Sequence, residues 1–187
     1  MNHRSSWVTR VAVGSIRIYV KVYDYETWRA RLGNMGRWTA PWRPSRALRE
    51  CRAFAWMTKH DFPAPRHFAC MEQRVAGFVR RATILSSEVA GHTAEHLLRG
   101  ADEHTRLAAA RAVGQFVGTL HRAGFRDRNL DLRNLIVDGD RVTKIDSPRH
   151  RLVQPGDRDD ALRRADWDRL LPQLAAYGVD RAAYEAR

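Results

Sequence analysis

The chain has 187 residues, 44% of them hydrophobic: enough for one domain or two small lobes with a buried core, and too apolar for wholesale disorder. Its formal net charge of +12 is carried almost wholly by arginine, since lysine occurs only at Lys21, Lys59 and Lys144, and such a surface favours anionic partners. No apolar run reaches the roughly 18 residues of a membrane span, and MNHRSSWVTRVAVGS lacks a signal-peptide pattern, so cytoplasmic residence is expected. Two cysteines, Cys51 and Cys70, are too few for a disulfide framework or a zinc cage and read as reduced thiols.

Residues 7–23 alternate apolar and polar side chains around Gly14-Ser15, which predicts two strands joined by a tight turn. Gly33, Gly36, Pro41 and Pro44 mark residues 24–44 as an irregular connection with one short helix. Ser45 then suits the N-cap of a helix whose apolar positions include Leu48, Cys51, Phe54 and Ala55. The prolines of DFPAPRHFAC end it and lead into a strand pair, ACMEQRVAG with GFVRRATIL. From about Thr105 a second helix carries Leu107, Ala110, Val113, Phe116, Val117 and Leu120 on one stripe, and Gly124 stops it. A hairpin around Asp138-Gly139-Asp140 follows, then a polar stretch, then a last helical region from about Asp159 that includes Trp167, Leu170 and Leu171. Strands with one helix, then mainly helices around a small hairpin, make an α+β protein in two lobes.

The hairpin holds the first chemical signal. Folding LIV against RVTKI about Gly139 brings Asn134 near Asp146, because adjacent strands lie about 4.8 Å apart. An amide oxygen and a carboxylate are hard ligands suited to Mg²⁺, which keeps waters and draws further ligands from phosphate. The alternative is an ordinary surface hairpin with polar ends. Lys21 gives the second signal, as a cation inside the apolar strand IYVKVY. If buried it needs a partner, and Glu50 on the helix after Ser45 offers one. A strand lysine held by a helix carboxylate can direct its charge onto nucleotide phosphates. Otherwise it is a lysine on the solvent face of an edge strand.

The strand lysine, the helix glutamate, a helix ending LHRAG, a loop with Asn and a hairpin ending KIDSPR stand in protein-kinase order. The sequence resembles the lipopolysaccharide kinase (Kdo/WaaP) family over about residues 10–185, most specifically in SRALREC and from LHRAG to KIDSPR. The resemblance implies a protein-kinase-like two-lobed α+β fold, with an N-lobe at about 1–88 and a mainly helical C-lobe at about 89–187. It also implies ATP-dependent phosphoryl transfer to a hydroxyl of a sugar or lipid-linked acceptor such as lipopolysaccharide. Lys21 then matches the phosphate-binding lysine, Glu50 its partner, and Asn134 with Asp146 the two Mg²⁺ ligands.

Two departures accompany it. Where the kinase pattern H-R-D-L-x-x-x-N carries its base, this chain has Asn129 within DRNLDLRN, and an amide accepts no proton. Asp127 and Asp131 flank that position and are the substitute candidates. Of the two strands and glycine-rich loop expected ahead of the lysine strand, the first strand and the loop are not found before Lys21, and the C-terminal end looks short for the family. These departures define the alternative: a pseudokinase that binds a nucleotide or a partner without turnover. HTAEH, His92 to His96, matches the H-x-x-E-H zinc-protease pattern, but no long helix precedes it and no third ligand is marked, so a solvated turn or helix start is expected. Peripheral contact with an anionic membrane surface at the inner membrane face suits the charge. Nucleic-acid binding would rest on charge alone and is not expected.

Overall fold

In the computed structural model, which describes residues 6–100, 102–155 and 161–179, the alternating N-terminal pattern forms β1 (Ser6–Val13) and β2 (Ile16–Asp24). They pair antiparallel from Ser6↔Tyr23 to Val13↔Ile16, turning at Gly14-Ser15 with Gly14 at φ 61°. The connection holds α1 (Trp28–Gly33), capped by the Thr27 hydroxyl, which accepts from the Ala30 amide at 3.1 Å, and then a π-helical turn at Met35–Thr39. Ser45 caps α2 (Arg46–Lys59): its Oγ accepts from the Leu48 amide at 3.1 Å. The strand pair after the prolines is β3 (His67–Val75) and β4 (Phe78–Ser87).

The described chain divides into two compact units, Met1–Trp56 with Pro65–Glu88, and Met57–Ala64 with Val89–Arg187. The first contains the four-stranded antiparallel sheet, order β1-β2-β4-β3. Its core joins Tyr23, Val79, Ala82 and Ile84 of the sheet to Ala47 and Cys51 of α2 and to Trp38. Each such large side chain removed from water contributes about 1.5–3 kcal/mol, which explains why α2 lays its apolar stripe on this sheet. Both cysteines are free thiols, Cys51 buried and Cys70 half-buried.

The second unit contains β5 (His92–Thr93), α3 (Ala94–Gly100), α4 (Glu103–Arg122), β6 (Phe125–Asp127), a 3₁₀ turn at Leu132–Asn134, β7 (Leu135–Asp138), β8 (Arg141–Lys144), β9 (His150–Leu152) and α5 (Ala161–Ala175). Strands β5, β7 and β8 form one small sheet, and β6 pairs with β9. Asp102 caps α4 by accepting from the Thr105 amide at 2.7 Å. The α4 stripe is buried at Ala110, Val113, Val117 and Leu120, whereas Leu107 and Phe116 are half-buried. The core unites that stripe with Leu130, Leu135, Leu170 and Leu174.

Gly124 ends α4 at φ 86°, and a Cβ there would run into the Val153 carbonyl oxygen, so only glycine lets the chain run from α4 into the β6–β9 pair. The strands β5, β6 and β9 span two or three residues each, too few for a period to be read, and α3 begins within His92–His96, where a turn or helix start is expected. The expected helix start near Asp159 lies outside the described residues, and α5 is described from Ala161. Among the described residues no helix is long and apolar enough to cross a membrane.

Candidate active site

In the first unit, β2 presents Lys21 and α2 presents Glu50. The ammonium donates to both carboxylate oxygens, at 3.0 and 3.1 Å. The Tyr23 hydroxyl donates to the same carboxylate at 2.8 Å, so a buried Glu50 is held by two neighbouring donors on one strand face. The Lys21 side chain keeps 20% of its surface exposed while Glu50 keeps 4%. The lysine therefore reaches from a desolvated anchor towards solvent.

In the second unit the loop after β6 is fastened at both ends. Asp166, on α5 and fully buried, accepts from the Asp127 amide at 2.8 Å and lies 3.1 Å from His121 Nε2. The Asp127 carboxylate accepts from the Asn129 amide at 3.0 Å and from the Ser147 hydroxyl at 2.9 Å. It also pairs with Lys144 at 3.0 Å, with the lysine side chain 0% and the aspartate 2% exposed. Lys144 donates as well to the carbonyls of Ile145 (2.7 Å) and Asp146 (3.1 Å), so one buried ammonium joins the loop to the end of the hairpin.

The hairpin register pairs Leu135 with Lys144, and the Asn134 carbonyl accepts from the Ile145 amide at 2.9 Å. Asp146 follows one residue on, at φ 61°, a left-handed conformation that costs a non-glycine residue and turns its side chain out of the strand alternation. Asn129 spans the gap. Its Nδ2 donates to the Asp146 carboxylate at 2.5 Å and to the Asp146 carbonyl at 3.0 Å, and its own carbonyl accepts from Asn134 Nδ2 at 3.1 Å. Asn134, Asn129 and Asp146 thus form one hydrogen-bonded chain. With Nδ2 of Asn134 committed to a carbonyl, its Oδ1 remains the atom to offer a cation, and Asp146 supplies a carboxylate. That hard-oxygen pair fits Mg²⁺, and among the described residues no group of three or more His, Cys, Asp or Glu side chains gathers as a metal cage.

Asp131 is occupied otherwise. Its carboxylate accepts from Arg133 Nε and a terminal guanidinium nitrogen at 3.0 and 2.9 Å, with Arg169 at 3.5 Å. The Arg133 hydrogen bonds hold its pKa down to about 2. Neither Asp127 nor Asp131 is therefore an idle carboxylate: one is sealed in a buried ion pair and the other is a weak base at neutral pH. His92 on β5 and His96 in the first turn of α3 are exposed, their rings 5.1 Å apart, while Glu95 pairs with Arg99 at 3.2 Å, a solvated turn and helix start.

Lys144, Ser147, His121 and Asp166 escaped the sequence reading. Lys144 did leave a signal, since it shares strand parity with the buried Val142, where a charge demands a partner. Asp166 left none, because its partners, the Asp127 amide and His121, lie 39 and 45 residues away in the chain.

The model of the lipopolysaccharide kinase (Kdo/WaaP) family matches residues 10–183. The structure of WaaP in complex with acyl carrier protein is similar over 98% of this chain and 73% of its own, with TM-score 0.68 at 20% identity. WbdD with the kinase inhibitor LY294002 is similar over 76% of this chain at TM-score 0.52 and 18% identity, and the bifunctional kinase-methyltransferase WbdD over 75% at TM-score 0.50 and 17% identity. The chain spans only about a third of WbdD, 32% and 31% in the two structures. No curated protein sequence matches. The antiparallel sheet with its helix and the mainly helical second unit have the protein-kinase-like fold of these structures. With the family model covering nearly the whole chain, the protein belongs to the lipopolysaccharide kinase (Kdo/WaaP) family.

Proposed function

We propose that the protein is an ATP–Mg²⁺-dependent phosphotransferase acting on a hydroxyl of a sugar or lipid-linked acceptor at an anionic membrane surface. The supporting observation is the Asn134–Asn129–Asp146 chain, which holds an amide oxygen and a carboxylate at one end of the β7–β8 hairpin. Lys21 directs its charge to nucleotide phosphates and Glu50 with Tyr23 keeps it oriented. Asn134 and Asp146 hold Mg²⁺, which when bound neutralises charge developing on the phosphates. Lys144 fixes the carbonyl of Asp146, and Asn129 orients its carboxylate.

A second reading, a pseudokinase that binds nucleotide or a partner without turnover, is favoured by one observation. The residue at the base position is an amide, and the flanking Asp127 and Asp131 are both committed to cations. Phosphoryl transfer leans on positioning and electrostatics, and a general base contributes about 10²–10⁴-fold, so its loss slows the reaction without abolishing it.

Calorimetry with ATP in the presence and absence of Mg²⁺ tests the metal site. Binding is expected to strengthen with Mg²⁺ in the wild type and to lose that dependence in Asp146→Ala. Identical titrations for the two proteins would remove the site. Turnover measured over a panel of sugar and lipid acceptors then separates the two readings.

A further inference from the structure

Between Glu26 and Glu50 the chain carries Arg29, Arg31, Arg37, Arg43, Arg46 and Arg49 and not one acidic residue. The same stretch also exposes large apolar side chains, as β1 and the start of β2 do at Trp7, Val8, Val11, Val13 and Ile16, but here they lie among arginines with no acidic residue in the segment. Trp28 is 49%, Leu32 56%, Met35 37% and Trp42 73% exposed, and Arg29, Arg37 and Arg43 are exposed among them. Spacing puts Trp28 and Leu32 on one face of α1.

Internal contacts gather these side chains at one end of the first unit. Trp28 meets Phe78 edge-on at 5.7 Å, directly after the β3–β4 turn. Pro41 lies against Gly77 in that turn, and Arg74 reaches from β3 to the carbonyls of Ala40, Pro41 and Arg43. An Arg43 guanidinium nitrogen donates to the Gly36 carbonyl at 2.7 Å, tying the loop of Trp42 to the π-helical turn of Met35. The remaining aromatic of the stretch, Trp38, is buried beneath Arg46 and Arg49, so the scaffold is packed while its rim is left apolar. Carboxylates nearby are paired with arginines: Asp24 and Glu26 share Arg81, and Glu72 pairs with Arg74.

From this arrangement we infer that residues 28–43 form a docking surface for an anionic phospholipid bilayer. Tryptophans with an aliphatic pair between them suit the headgroup–acyl boundary, and the exposed arginines meet lipid phosphates. A single-stranded nucleic acid would use the tryptophans as stacking platforms but gains nothing from Leu32 and Met35, so the bilayer is the better match. This deepens the membrane contact proposed above by naming its surface, and it holds with or without phosphotransfer.

The experiment is sedimentation of the full chain with vesicles of phosphatidylcholine alone or mixed with phosphatidylglycerol, without nucleotide or acceptor. Binding is expected only to the anionic vesicles. Leu32→Ser with Trp42→Ser, and separately Arg29→Glu with Arg37→Glu, should each weaken it by roughly tenfold or more while thermal unfolding is unchanged. Brominated acyl chains should quench part of the tryptophan emission, and Trp42→Phe should remove much of that quenching. Equal binding by wild type and both double variants would overturn the proposal. So would wild-type binding to a small acidic protein or to single-stranded DNA with vesicles ignored. Failure here leaves the ATP titrations untouched, so the two proposals fall separately.

Discussion

An aspartate at position 129 would put a second carboxylate against Asp146, where the Asn129 amide now donates. Two such anions in contact repel, and one pKa rises unless a cation lies between them. Asn129→Asp is therefore expected to lower thermal stability in chelator, to recover it with Mg²⁺, and to raise phosphotransfer by about 10²–10⁴-fold. A variant whose unfolding ignores Mg²⁺ and whose turnover does not rise would count against both the metal site and the role of this position. Asp131 offers a pH test. Its carboxyl, held down to about 2 by Arg133, contributes stability that is complete above its ordinary value near 4 and is lost as pH falls towards 2. Because the pair is partly open to solvent, Asp131→Asn should cost only about 1 kcal/mol at pH 7. Urea unfolding of the two proteins should converge near pH 2.

At the scale of elements, the β3–β4 hairpin carries a correctable strain. Its two-residue turn has Ala76 at φ 48° and Gly77 at φ 80°, both left-handed, and alanine is a poor occupant of the first position. Ala76→Asn creates the Asn-Gly pair that such turns favour and should stabilise by about 0.5–1 kcal/mol, read as a higher urea midpoint at unchanged slope. The pairing of β2 with α2 works the other way, through charge. Lys21 and Glu50 join a strand to the helix packed on it, and Tyr23 adds a second donor from the same strand face.

Across the molecule, the two lysine pairs contrast in burial and so in energetics. Lys144 is wholly enclosed with Asp127 and ties β6, the loop and the hairpin end together. Lys144→Met leaves a buried carboxylate without its cation and should cost about 3–5 kcal/mol. Lys21→Met should cost less, since its side chain is 20% exposed and Glu50 keeps the Tyr23 hydroxyl. Chemical denaturation of both variants checks the order, and a costlier Lys21→Met would overturn it.

Much of this architecture was legible in local chemistry. Alternation around Gly14-Ser15, the Ser45 cap, the stripe on α4 and the Asp138-Gly139-Asp140 turn each act within a few residues, so the sequence alone determined those elements and their order. It also marked Lys21 with Glu50, because a cation in an apolar strand calls for a partner and the helix after Ser45 offers one. The two- and three-residue strands had no period to display. What only the tertiary structure decided was how the loop carboxylates are used. Asp127 and Asp131 read as equivalent neighbours of Asn129, yet one is sealed by Lys144 and the other held by Arg133 and Arg169. Asn129 read as a lost base, and folding makes it the link between Asn134 and Asp146. A side chain's partner is chosen by which distant segments meet it, and that depends on the packing of the unit rather than on the residues beside it in the chain.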